Sequence, residues 1–181
     1  MRLGYKNTFS KYMNLIRTIF LILLGIYSLQ FFTWDVNGDV MNAFIHGPNL
    51  IFHEAGHVLF MPFGDFLSIL GGSMFQILLP LGLTYVFYFR EENPFAASVT
   101  LWWVGQNLTD VALYISDAGA RSLPLIGGMS EEAHDWGNLL TMMNLLEYDH
   151  ALGIFTHYIG MIVMLVGLVW GGYICLREHI A

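Results

Sequence analysis

The residues whose types and spacing could do chemistry are His53, Glu54 and His57, in the run His53-Glu54-Ala55-Gly56-His57. On an α-helix, positions four apart lie on one face, so both imidazoles can meet a single ion. Glu54 sits about 100° further round the axis. Beside a metal it can take a proton from an activated water and later deliver it to a leaving amine. Zinc suits such a set: it accepts nitrogen and oxygen ligands and brings the pKa of bound water to about 7. Chance is a poor rival, since a random chain of this length shows His-Glu-x-x-His with a probability of roughly one in a hundred or less.

Catalytic zinc sites usually have three protein ligands and one open position, so the histidines need a companion. Asp110 leads. It interrupts an otherwise apolar run, where an unpaired carboxylate is costly and a cation makes it tolerable. By the threading given below it lies about 15 residues from the outer end of its helix, against roughly 10–14 for the histidines. Asp117 competes, one heptad on and on the same face as Asp110 and Tyr114. His134 and Asp135 compete if their loop folds back, as Leu123-Pro124 and Gly127-Gly128 would permit; Asp135 also reads as the cap of a short helix. His46, His150 and His157 read as interfacial or packing residues. Gln106 and Asn107 read as helix-to-helix hydrogen bonders, or as contacts for a substrate backbone.

The elements that must position these groups are apolar. Of the 181 residues, 56% are hydrophobic and only 12% charged, against roughly 45–50% and about 25% in a soluble domain. The first run, Thr18 to Trp34, follows Arg2, Lys6, Lys11 and Arg17. It is longer than a signal-peptide core of about 7–15 residues and lacks a small-residue cleavage site, so it reads as a retained anchor. A second run from Val40 to Pro62 carries the His-Glu pair, its regular part beginning near Pro48. Leu67 to Phe89 and Phe95 to Ser116 follow, separated by the polar turn Arg90-Glu91-Glu92-Asn93-Pro94. Residues 117–150 form a polar loop with a short amphipathic helix over Trp136 to Leu146. Ala151 to Leu176 closes the chain with Gly153, Gly160, Gly167 and Gly171 on one face. That stripe reads as a close helix contact within the chain, with a homodimer seam as the second reading.

These runs predict a single all-α membrane domain over 1–181, a polytopic bundle of about five spanning or re-entrant helices in the plasma (inner) membrane. Alternate threading places the N-terminus and Arg121 in the cytoplasm, and Arg90 and Arg177 outside, a five-to-two partition of basic residues. The formal charge of −7 is dispersed, and no nucleic-acid partner is implied. The single cysteine, Cys175, excludes an intrachain disulfide and a thiolate metal cluster.

A polytopic chain with His-Glu-Ala-Gly-His in its second apolar run resembles the site-2 protease family of intramembrane zinc metalloproteases. In that family a glycine-rich turn and an Asn in the next helix follow the motif; here Gly71-Gly72 and Gln76 occupy a similar place. A later Leu-Asp-Gly supplies the family's third ligand. This sequence has none, and Asp117-Ala118-Gly119 and Asp135-Trp136-Gly137 come nearest. The resemblance spans about Gly47 to Leu140 and is strongest at His53 to His57.

The expected activity is therefore hydrolysis of peptide bonds within or beside membrane segments of other proteins, with Glu54 moving the proton and Gly71-Gly72 offering an extended edge to the substrate. Two alternatives remain open: a non-proteolytic zinc-binding protein that engages partner helices, and a hydrolase of a lipid-linked substrate.

Overall fold

The computed structural model describes residues 2–32, 41–123 and 134–180, with side chains from residue 10 to residue 178. Trp34, Val40, Pro124 and Gly127-Gly128 lie outside the described residues. Every regular element among those described is helical: α1 (Arg2–Ser28), α2 (His46–Phe60), α3 (Asp65–Phe89), α4 (Pro94–Ser116), α5 (Asp135–Met142) and α6 (Asp149–Ile180), with three short 3-10 turns.

Local chemistry sets the boundaries. Pro94 opens α4, where its missing N–H costs nothing, and Asn93 Oδ1 caps the helix by accepting from Ala96 N at 3.1 Å. Gly64, at φ 94°, makes the turn between α2 and α3. α2 begins at His46, two residues before Pro48. α5 ends at Met142, short of the expected Leu146. Its cap is His134 rather than Asp135: His134 Nδ1 accepts from Gly137 N at 3.3 Å.

Among the described residues, three helical stretches are long and apolar enough to cross a membrane, Ser10–Phe31, Asp65–Phe89 and Leu146–Glu178. α4 has 23 residues, but it carries its polar groups inward: Ser98, Thr100, Gln106, Asn107, Thr109 and Asp110 are all buried. α2 has only 15 residues. α4 is the axis of the bundle. Along it lies α6, whose glycines allow the approach: a Cβ on Gly160 would stand 2.6 Å from Gly105 O, and one on Gly167 2.7 Å from Trp102 N. The glycine stripe is thus filled by a helix of the same chain.

Polar contacts between helices show which termini share an end of the bundle. Arg17 Nη1 donates to Glu178 at 2.7 Å, Asn14 Nδ2 donates to Cys175 O at 3.0 Å, and the Arg17 guanidinium lies 5.3 Å from the centre of the Phe95 ring. The lower half of α1, the end of α6 and the start of α4 therefore lie together. At the opposite end, Ser116 meets His150 at 2.9 Å, and Gly119 N donates to Asp149 at 2.8 Å. This corrects the alternate threading, which set Arg90 and Arg177 across from Arg17. The threading fails because it counts α2 as a full crossing: α1 runs from the Arg17 end to Trp102, whose Nε1 donates to Ser28 Oγ at 2.7 Å, and the hydrogen bonds between α2 and α4 fall between Trp103 and Asp110.

Candidate metal centre

α2 and α3 meet through glycine. A Cβ on Gly56 would run into Gly71 O, and one on Gly71 would stand 2.7 Å from Phe60 Cβ. Gly71 and Gly72 are helical and buried in this crossing. Their backbone is hydrogen-bonded within α3, so the extended edge expected there does not exist. The pair instead brings α3 directly over the histidines: a Cβ on Gly72 would stand 2.6 Å from both His53 Nε2 and His57 Nε2.

The two imidazoles lie with ring centres 4.8 Å apart. His57 Nδ1 is 2.8 Å from Ser68 O, and His53 Nδ1 is 3.0 Å from Gln76 Oε1. Gln76 has only one workable orientation, because its Nε2 donates to the Asp110 carboxylate at 2.8 Å. Both acceptors therefore fix the proton of each ring on Nδ1, which turns each Nε2 toward the same point. That point is occupied by Asp135 Oδ2, 2.9 Å from His53 Nε2 and 3.1 Å from His57 Nε2.

Asp135 is held by its neighbours in sequence. His134 Nε2 donates to Asp117 Oδ2 at 3.0 Å, and Trp136 Nε1 donates to Ser73 Oγ at 3.0 Å. Asp117 is itself fixed by the backbone N–H groups of Ser122 and Leu123. Burial pushes the Asp117 carboxyl up, but the Ser122 hydroxyl, these two N–H groups and His134 outweigh it and hold the carboxyl below its usual range. Burial likewise pushes Asp135 up, and the two facing imidazoles outweigh it, favouring the bare carboxylate.

Two imidazole nitrogens and a carboxylate oxygen within 4.8 Å of one another form a donor set for a metal ion. Tetrahedral zinc with bonds of about 2.0–2.2 Å needs ligand separations of roughly 3.3 Å, a few tenths of an ångström beyond the two histidine-to-Asp135 separations of 2.9 and 3.1 Å. Comparison with protein-family models, with curated proteins and with solved structures finds no match for this chain. The likeness to site-2 proteases thus rests on the residues themselves.

Asp110 lies one residue back from the histidines. Its Oδ2 receives Gln76 and Asn49, at 2.8 and 3.3 Å, while Oδ1 is 2.7 Å from His46 Nδ1. Asn49 also donates to Gln106 Oε1 at 2.7 Å and accepts from Trp103 Nε1 at 2.8 Å. Asp117 anchors His134, and His134 caps α5. Glu54 is exposed on α2 and close enough for its charge to act on His57 and Tyr114. Reading the sequence placed Tyr114 on the Asp110 face without giving it a role, and its ring stacks against both His46 and His53 at 6.3 Å; it missed the anchors Ser68 and Ser73. A usable signal was present in His134-Asp135-Trp136: an acid flanked by two side chains that can each be tied to another helix.

Proposed function

We propose that this chain is a membrane-embedded zinc hydrolase acting on peptide bonds within or beside membrane segments of other proteins. One observation carries the metal: both histidines spend Nδ1 as a donor, so two lone pairs and a carboxylate converge. Without a cation, the rings could face Asp135 only as two imidazolium ions sharing one carboxylate oxygen. His53, His57 and Asp135 would hold the ion, and Asp135 takes the place for which Asp110 was the leading residue. The choice of a peptide bond rests on the resemblance of His53 to His57 to site-2 proteases.

Zinc bound there supplies a nucleophilic water at neutral pH and polarises a carbonyl. Glu54 is spared from ligation and exposed, so its carboxylate can accept that water's proton and return it to the leaving amine. Gln76 and Ser68 O hold the imidazole tautomers, as outer partners of metal-bound histidines do. His57 and Asp135 remain about a quarter exposed in their side chains, 23% and 27%, which leaves an approach for substrate. A helical substrate must unwind before its carbonyls can enter, since its backbone is already hydrogen-bonded.

Glu54→Gln tests this reading. The variant should keep its metal and lose cleavage of co-reconstituted membrane proteins, whereas the His53→Ala, His57→Ala double variant should lose both. A cleavage reaction left intact in Glu54→Gln would refute the role of Glu54. Zinc no higher in wild type than in the double variant would refute the site.

A further inference from the structure

Six of the seven basic residues belong to one end of the bundle. Arg17 contacts Glu178 and Phe95 there. Arg2, Lys6 and Lys11 sit on the earlier turns of α1, Arg90 on the turn leading into α4, and Arg177 beside Glu178. Arg121 alone lies at the other end, just beyond α4, four residues after Asp117 and two after Gly119, whose N donates to Asp149. A six-to-one partition is stronger than the five-to-two of alternate threading, and an excess of Lys and Arg marks the cytoplasmic side.

The metal centre belongs to the opposite end. Asp110 is about 24 Å along α4 from Pro94 and only about 9 Å from Ser116, at 1.5 Å per residue. Gln76 is about 20 Å from Phe89, where α3 reaches the basic end. The helix carrying Asp135 is tied through His134 to Asp117, the residue that ends α4. Every anchor of the centre outside α2 is thus in the half of the bundle away from the basic residues.

We infer that the His53–His57–Asp135 centre works from the extracytoplasmic side, in the outer half of the bilayer, with both termini of the described bundle in the cytoplasm. The inference rests on the proposed function for its chemistry and on the contacts between helices for its sidedness. Its substrates are membrane proteins that present the bond to be cut at the outer leaflet or just outside it. Water and metal reach the centre from the same side.

Single cysteines in a Cys175→Ser background test the sidedness without reference to activity. Glu147, exposed between α5 and α6, reports the metal end, and Glu91, exposed in the turn before α4, reports the basic end. In intact cells a membrane-impermeant maleimide should label Glu147→Cys, and should label Glu91→Cys only after permeabilisation. The reverse pattern, or labelling of both from one side, overturns the inference. A fluorescent protein that folds only in the cytoplasm, fused to the C-terminus of the unaltered chain, provides a second measurement. It should fluoresce, and a dark, fully expressed fusion also overturns the inference. Zinc content of the same preparations separates the two readings: external labelling of Glu147→Cys in a chain without zinc leaves the topology standing and removes the hydrolase.

Discussion

Asp110 and Asp135 are both carboxylates set among histidines in a helical bundle, and they meet opposite partners. Asp110 is 1% exposed and surrounded by donors: Gln76 Nε2, Asn49 Nδ2 and the His46 ring. Its charge is answered by hydrogen bonds, which is how a buried carboxylate becomes stable. Asp135 faces two nitrogens whose protons are committed on the far side of each ring. Its charge is answered by imidazolium rings or by a metal ion held between them. The difference is that Asp110 meets donors already committed to it, whereas Asp135 meets two ring nitrogens that a metal ion could share with it.

The comparison breaks most visibly through metal content. Asp135→Ala should reduce zinc affinity by more than the roughly 100-fold upper range of an outer partner, while leaving the thermal transition of the metal-free protein nearly unchanged. Asp110→Asn should do less to zinc and more to the fold. It should lower affinity by about 10–100-fold through the Gln76 contact and destabilise the metal-free fold by about 1–3 kcal/mol through poorly matched donors. Competition titration with a chromogenic chelator and melting in detergent read the two quantities. Equal zinc loss in both variants, or loss in Asp110→Asn alone, would end the distinction.

Glycine substitutions sharpen it, because they press on the centre and on the scaffold separately. Gly72→Ala places a methyl group 2.6 Å from both Nε2 atoms and should abolish zinc binding. Gly160→Ala strains the packing of α6 on α4 and should cost about 1–3 kcal/mol in melting while zinc binding persists.

Smaller effects come from the groups that hold Asp135 in place. The folded-state pKa of Asp117 is lowered, so its contribution is fully present above the ordinary carboxylate value of about 3.9 and is lost as pH falls through the folded-state value. The stability advantage of wild type over Asp117→Asn should therefore be constant near neutrality and shrink in acid. An advantage that grows as pH falls would contradict the lowered pKa. Asn93→Ala removes a cap far from the centre and should cost about 0.5–2 kcal/mol in melting with no change in zinc affinity.

Long apolar runs made α3, α4 and α6 legible in the sequence within a few residues, because a bilayer demands helices of that length. α1 begins sixteen residues before the expected Thr18, since its first turns carry the basic residues and no apolar run marks them. The spacing of His53 and His57 was legible because it is local geometry on one helix. Asp135 stood only as one of four candidates beside them, since its meeting with His53 depends on contacts made 82 residues apart in the chain. The true use of Gly71-Gly72 was not legible: a glycine pair suggests a turn in water, but between packed helices it supplies close approach. The cap at His134 was read one residue late, because Asp is the commoner cap and nothing local shows that Asp135 is needed elsewhere.

The shortness of α2 has a consequence for the lipid around it. Fifteen residues cover about 22 Å, whereas the hydrocarbon layer is about 30 Å thick. On its outer side the helix exposes Ile51 and Val58, 69% and 67% accessible, with Glu54 between them. In a bilayer, acyl chains beside so short a helix would have to shorten or tilt to match it next to Glu54. Hydrophobic mismatch would then set how far water must travel to the centre, making the thickness of the surrounding lipid a control on access to it.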